Sequence, residues 1–488
     1  MRTENQDDFI DDEKACSSEN VENYAIITTI DDIHVLGLSS EDADFYRNYT
    51  PQKRKQIIRK IDMRLIPMLA ILYLISYLDR ANIGNAKTLG LAEDLNLTGL
   101  QYNIALSIFF IPYVLLEVPS NILLKRFARP SLYLGTLIVS WGTIMTLTGV
   151  VRNFGGLLAV RVLLGIFDAL SGAFSGLLAA AISKMDGVGG YEGWRWIFII
   201  EGLVTVGLGI STFLLLVDSP SLSTRWLDED EIRYLEIQHF IKEGGQFKEE
   251  QESISLKDVF GVMKNWRLYF LAYIMMCQSA CNYGTKFSLP TLTEAMGFEG
   301  TTAQLMTVPP YIAGALSAVA FSNMSDRYNW RFPFVAAPLL LIIIGYSIIV
   351  GLKGQLESHL GVGFFAIILA CMGIYPTYPA AASWAMNNLA PSKRRAIGSA
   401  FNICMGNTGG IIGSYMYLDR ESPTYITGFG LSLAFGVSGL LVACGLELWF
   451  MYANKQKAKL SEMEIRETYS DEQLLEMGDR SPLFRNML

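Results

Sequence analysis

RVLLGIFDALSGAFSGLLAAAISK, Arg161 to Lys184, decides how the rest of the chain is laid out. Its length and apolar content match one membrane-crossing helix, which needs roughly 20 apolar residues to cover a ~30 Å hydrocarbon core. Yet Arg161 and Asp168 sit inside the apolar run, where a charge is costly unless it faces a cavity or a partner. Counted as a single crossing, the stretch also fixes the side of the membrane on which everything after it falls.

Further apolar runs lie on both sides of it: Ile71–Leu78, Ile104–Leu116, Leu339–Leu352 and Leu431–Phe450. Half of the chain is hydrophobic and only 18% of its 488 residues are charged, against about 25% in soluble proteins. A backbone in lipid must satisfy its own hydrogen bonds, so such runs are helices. The chain reads as an all-α polytopic membrane protein. Its spans are Leu65–Asn85, Tyr102–Leu124, Pro130–Val150, Gly155–Ser183, Trp196–Val217, Trp266–Leu289, Ala303–Phe321, Phe332–Val350, Gly361–Ala381, Ala396–Tyr417 and Ile426–Tyr452, eleven in all. Residues 1–61 form an acidic tail, mostly disordered over its first 50 or so. Residues 62–217 form a first membrane half, 218–265 a charged linker, 266–453 a second half and 454–488 a closing tail. The linker contains TRWLDEDEIRYLEIQHFIKEGG, which reads as a surface helix.

Several functions are set aside by composition. The net charge is −8, with the acid in the tails and linker, and no basic patch with interleaved aromatics points to nucleic acid. Cys277, Cys281, Cys371, Cys404 and Cys444 lie in spans and Cys16 in the tail, so no disulfide is expected. His34, His239 and His359 all fall outside the spans, which leaves intramembrane proton chemistry to carboxylates. The N-terminus lacks the basic start and early apolar core of a cleavable signal peptide. No metal cluster, phosphate-cradling loop or nucleophile–base arrangement appears, so neither an enzyme nor a cofactor is expected. The expected surroundings are the lipid bilayer, with the chain as a monomer.

Basic residues in short loops stay cytoplasmic. One set precedes the first span (Lys53, Arg54, Lys55, Arg59, Lys60, Arg64) and one follows the second (Lys125, Arg126, Arg129). In the second half the basic loops carry Arg327 and Arg331, then Lys393, Arg394 and Arg395, then Lys455, Lys457 and Lys459. Both halves agree only if an even number of spans precedes the linker, and five are counted. The odd count traces to Gly155–Ser183, whose length falls between one crossing and two.

The runs YLDRANIGNAK (Tyr77–Lys87), PYVLLEVPSNILLKRFARPS (Pro112–Ser131), SWGTIMTLTGVVRN (Ser140–Asn153), MDGVGGYEGWRWIFIIEGL (Met185–Leu203), FSNMSDRYNWR (Phe321–Arg331) and the long Gly373–Tyr415 run beginning GIYPTYPAAASW resemble the allantoate permease-like anion:cation symporters. These are a largely fungal branch of the major facilitator superfamily. The resemblance covers about residues 45 to 460. It implies a major facilitator fold of two pseudo-symmetric helical halves with twelve spans, and transport of small organic anions, such as vitamin or ureide carboxylates, with protons. It implies a plasma-membrane location with both termini cytoplasmic. It also implies a gap. In family members the string like RVLLGIFEA continues through span four, a loop and the start of span five before a string like SGAFSGLLA. Here Asp168 runs almost directly into Ser171, with the junction near 168–172, and on the order of one span is missing.

The candidate chemistry follows the rare charges. Asp79 and Arg80 lie roughly 21 Å along a helix from Leu65. Arg80 either binds a substrate carboxylate through its planar fork or, with Asp79, marks the outer helix end. The resemblance favours the first. Arg161 either meets an anion or makes a structural ion pair. Asp168 lies two turns on along the same helical face, as a proton acceptor or as a tolerated neighbour. Glu117 is a second proton site or a pin to a neighbouring helix. Asn282 and Tyr283, with Tyr375, Tyr378 and Trp384, suit a flat ring-bearing carboxylate through stacking and a hydrogen bond, or are packing. Lys286 is expected to snorkel outward. The substrate-binding set is thus Arg80, Arg161, Asn282, Tyr283, Tyr375 and Trp384, and the proton-coupling set Asp79, Glu117 and Asp168. A non-transporting nutrient sensor, or a defective copy, is the alternative.

Overall fold

The computed structural model describes residues 40–116, 130–168, 192–215, 226–242, 256–298, 300–328, 330–353, 355–390 and 392–459, with parts of 464–488. All regular structure among the described residues is helical. In chain order the principal helices are α1 (Ser40–Asn48), α2 (Pro51–Thr88), α3 (Gly99–Ile108, resuming over 110–116), α4 (Pro130–Thr148), α5 (Phe154–Asp168), α6 (Gly193–Leu215), α7 (Glu229–Lys242), α8 (Leu256–Met263), α9 (Trp266–Ala295), α10 (Val308–Arg327), α11 (Phe332–Gly351), α12 (Leu360–Asn387), α13 (Ser392–Gly413) and α14 (Ile426–Lys457).

A helix stands at each of the eleven places where a span is expected. Among the described residues, seven are long and apolar enough to cross a membrane by length and composition. Helices α9 and α13 are not among them, because buried polar side chains punctuate both: Gln278, Ser279, Thr285 and Lys286 on one, Asn402 and Asn407 on the other. Helix α5 is described as far as Asp168, so the second half of the opening stretch, and the junction with it, lies outside the described residues.

Local sequence sets the helix starts. Thr98 opens α3 with a capping box: its hydroxyl accepts the amide of Gln101, whose side chain accepts the amide of Thr98 in return. Asn265 caps α9 by accepting the Arg267 amide. The hydroxyls of Thr136, Ser140, Thr143, Thr146 and Thr148 along α4 each donate to the carbonyl four residues back. That internal bonding makes hydroxyls tolerable in an apolar span.

The chain forms two compact units. The smaller takes residues up to Met68 together with Leu215–Ser253. In it Tyr46 and Tyr49 of α1 and its following turn stack on Tyr234 of α7, with centroids 5.3 and 4.5 Å apart. The Arg54 guanidinium lies over Tyr46 and donates to the carbonyls of Tyr46 and Tyr49. Arg233 pairs with Glu41 and Asp42, and Lys60 with Glu231 at 2.7 Å. The acidic tail is therefore helical from Ser40. The reason is its aromatic content: three rings in five residues find the tyrosine of the linker helix.

The larger unit holds Leu69–Leu214 and Ile254–Leu488. Its main apolar core lies among α9, α11, α12 and α14, with Ile342, Ala366, Ala370 and Phe450 almost fully buried. Cys277 and Cys281 are buried free thiols in this packing. Helix α8, expected within the linker, packs here instead through Val262 against Leu268, Leu389 and Ile397. The described part of the closing tail packs on this unit as well. Asp479 is 3% exposed and pairs with Arg267 and Arg394. The Lys457 ammonium donates to the carbonyls of Ser481 and Phe484, and Asn388 holds both backbone groups of Met487. A charged sequence docks here because Asp479 meets two guanidinium groups and the carbonyls of its turn meet the Lys457 ammonium.

Candidate functional site

Within the larger unit, α2 and α3 meet α9 and α13 face to face. Gly84 permits a close approach of the backbones, since a side-chain carbon there would come 2.9 Å from the Phe287 carbonyl oxygen. Gly410 is needed for the same reason: a Cβ would lie 2.3 Å from the Phe110 ring. Phe110 in turn meets Tyr283 edge-on at 4.7 Å. Ser107 and Tyr415 share a hydrogen bond of 3.0 Å, and the Cys404 thiol reaches the Val114 carbonyl. Small residues bring the backbones together, and polar contacts lock them.

One end of this seam is closed by an ion pair between Lys87, at the end of α2, and Asp419, in the α13–α14 connection. The Lys87 ammonium also lies 4.6 Å from the centre of the Tyr102 ring. Beneath the pair is a small pocket lined by Asn103 and Leu106 from α3, Ser288 and Thr291 from α9, and Ser414 and Tyr417 from α13 and just beyond it. The lining mixes polar and apolar groups, with contributions from both sides of the seam.

The sequence candidates fall unevenly around this seam. Arg161 is 3% exposed. Its Nε donates to the Ala105 carbonyl at 3.0 Å and its guanidinium lies over the Phe109 ring at 4.9 Å, which ties α5 to α3. Asn282, Tyr283 and Lys286 share one face of α9 by their three- and four-residue spacing. Tyr283 is buried and Asn282 half-buried. Lys286 does not snorkel: it is 2% exposed, because the face it shares with Tyr283 turns toward α3 rather than toward lipid. Tyr375 is half-buried on α12 and fits against Gly314 and Tyr311 of α10, away from the seam. Trp384 is fully buried; its indole N–H goes to the Met487 carbonyl at 3.0 Å, and its ring packs on Phe332 and Phe450. Expected at a substrate, Trp384 instead anchors the closing tail. Asp79 and Arg80 are helical residues of α2 and Asp168 ends α5, but their side chains lie outside the described residues, as does Glu117.

Two further residues were passed over in the sequence. Glu201 of α6 is 2% exposed and accepts a hydrogen bond from the Asn82 amide of α2. Asn82 lies three residues beyond Asp79, so a buried carboxylate stands one turn along from the Asp79–Arg80 pair. Its signal was available as a lone acid in the apolar run WIFIIEGLV. Arg195 is a hub at the same end as Lys87. It pairs with Asp94 and Glu192 and donates to the carbonyls of Gly149 and Val151.

With this geometry in hand, three comparisons with known proteins are informative. The sequence model of the Major Facilitator Superfamily matches residues 69–190 and 169–414. The two matches overlap over 169–190, and the second begins one residue after Asp168. The MFS-type transporter cnsO of Penicillium expansum is 32% identical over 480 residues, covering 90% of this chain and 92% of that protein. The high-affinity nicotinic acid transporter of Saccharomyces cerevisiae is 29% identical over 467 residues, covering 89% of this chain and 85% of that protein. Among solved structures, a bacterial homologue of the human lysosomal transporter Spinster, inward-facing and unoccupied, matches the fold with a TM-score of 0.57 at 14% identity. That match covers 81% of this chain and 96% of the bacterial one.

Proposed function

Since the chain belongs to the Major Facilitator Superfamily and is a membrane transporter rather than an enzyme, we propose that it carries small organic anions by proton-coupled symport across the plasma membrane, through alternating access between its two helical halves. The observation that carries this reading is a pair of cations buried in helices of the larger unit, Arg161 of α5 at 3% exposure and Lys286 of α9 at 2%. Cations buried inside membrane helices mark substrate or ion pathways, and a carboxylate passing between the halves is a fitting partner for them. Similarity to a nicotinic acid transporter supports a ring-bearing monocarboxylate, with Asn282 and Tyr283 beside Lys286 to orient it. Arg80 remains a second carboxylate partner. Asp79, Glu117, Asp168 and Glu201 are the carboxylates that could hold the coupled proton. The strings that resemble allantoate permease-like symporters support the same substrate class.

A second reading rests on a specific observation. Among the described residues five helices at expected spans, α2 to α6, precede the linker, and the superfamily matches overlap beside the Asp168–Ala169 bond. Both support the absence of the middle of the span-four/span-five hairpin, on the order of one span. Without that segment the wall around Arg161 is incomplete, and the chain as written is a sensor or a non-transporting copy.

The test begins with the transcript across codons 165 to 175, followed by nicotinate uptake into proteoliposomes by the encoded protein. Extra in-frame hairpin sequence and accumulation driven by an inward proton gradient are expected. A transcript that matches the chain, with nicotinate binding but no accumulation, would establish the sensor reading instead. Accumulation that ignores the proton gradient would remove the coupling.

A further inference from the structure

Where α9 begins and α14 ends, the docked closing tail completes a pocket enclosing about 290 Å³. Four cations line it, Lys264, Arg267, Lys457 and Arg480, against the single carboxylate of Asp479. That carboxylate is already engaged by Arg267 and Arg394, so the pocket keeps a surplus of positive charge. Lys264 and Arg480 are exposed. Lys264 has no ion pair among the described residues, and the Arg480 guanidinium reaches only the Gly261 carbonyl, at 3.4 Å. Asn265 and Asn486 add amide groups to the lining.

The second feature of the pocket is its apolar flank. Trp266 and Trp449 line it and meet edge-on at 4.9 Å, and Phe270 extends the cluster with its ring 5.5 Å from Trp266. Trp266 and Phe270 are each 45% exposed, and Phe260 on the adjoining α8 is 67% exposed. Tryptophans at the first turn of one span and the last turns of another mark the membrane–water boundary. The basic residues Lys455, Lys457 and Lys459 and those of the other second-half loops favour the cytoplasmic side for this end of the helices.

From this juxtaposition we propose that the pocket binds the phosphate-bearing headgroup of an anionic membrane lipid, with the acyl chains running along Trp266 and Phe270. Cations in a pocket between helix ends on the cytoplasmic side suit such headgroups. A free phosphate would use the same cations but gain nothing from the exposed aromatic flank. Because Asp479, Arg480 and Asn486 come from the tail, the site is whole only while the tail is docked.

The test uses the full-length protein purified in a neutral detergent, with the thermal unfolding midpoint followed during titration. The probes are dioctanoyl phosphatidic acid, dioctanoyl phosphatidylcholine and inorganic phosphate. Phosphatidic acid is expected to raise the midpoint saturably, and the other two at equal concentration are not. The exposed-residue variant Lys264→Ala should weaken the apparent affinity about threefold and Lys264→Ala/Arg480→Ala about tenfold, as expected for the loss of one and two cations from an anionic headgroup. Arg152→Ala, at the opposite end of the helices, should leave it unchanged. Equal affinity in the Lys264→Ala protein and the parent overturns the site. An equal response to phosphatidylcholine or to phosphate overturns the lipid assignment.

Discussion

Lys286 is the residue whose placement bears most on function. A four-carbon stem in an apolar helix reads as a side chain that escapes to the surface. Packing against α3 denies it that exit, and leaves a cation in the seam beside Tyr283. Arg161 was marked by its sequence alone, since nothing else in its run is charged before Asp168. Its Nε is spent on the Ala105 carbonyl, so part of its role is to hold two helices together. If Lys286 binds the carboxylate, Lys286→Ala in the transcript-encoded protein should lower kcat/KM for nicotinate by about ten- to a hundredfold, the worth of one charge-assisted hydrogen bond. Lys286→Arg should retain part of it. Uptake at the parental level in Lys286→Ala, with equal protein in the membrane, would remove the residue from the site.

At the scale of elements, the closing tail is a bound segment rather than a loose end. Its anchor is the buried Asp479 with Arg267 and Arg394, and breaking a buried pair of this kind costs about 3–5 kcal/mol. Lys457, beyond the end of the last span, adds a pH dependence. Burial pushes its ammonium down from 10.5 to about 8, helped by Arg267 and Arg485 and opposed by Asp479. On release from the docked tail Lys457 returns toward its ordinary value. Between about pH 8 and 10.5 the docked form therefore holds fewer protons than the released form, and docking strengthens as pH rises through that window. Hydrogen exchange over residues 477–488, corrected for intrinsic rates, should show protection growing from pH 8 to pH 10. Lys457→Met should flatten the profile. Protection that falls over that range would show that the charged ammonium, not the neutral amine, favours docking.

For the whole molecule, the count of crossings governs everything else. An even number of spans before the linker lets every basic loop share one side, and five do not. We expect the chain as written to accumulate no nicotinate in proteoliposomes. A version in which the missing middle of that hairpin, about one span taken from the S. cerevisiae nicotinic acid transporter, is restored between Asp168 and Ser171 should do so. Accumulation by the unaltered chain would show that eleven helices suffice and that one set of basic loops faces outward.

Much of this could be read from the sequence. Runs of about 20 apolar residues determined the membrane class and the positions of all eleven helices, because a backbone in lipid has no other way to satisfy its hydrogen bonds. Isolated charges determined where to look for Arg161, since a charge in a span is too costly to be incidental. The tertiary structure alone decided which polar groups face each other. It buried Lys286 against the seam, turned Trp384 into a tail anchor, paired Glu201 with Asn82 and folded a charged terminus onto the helix ends. Each of these depends on contacts between residues far apart in the chain. Helical periodicity gives the face a residue occupies, but not the neighbour that face will meet.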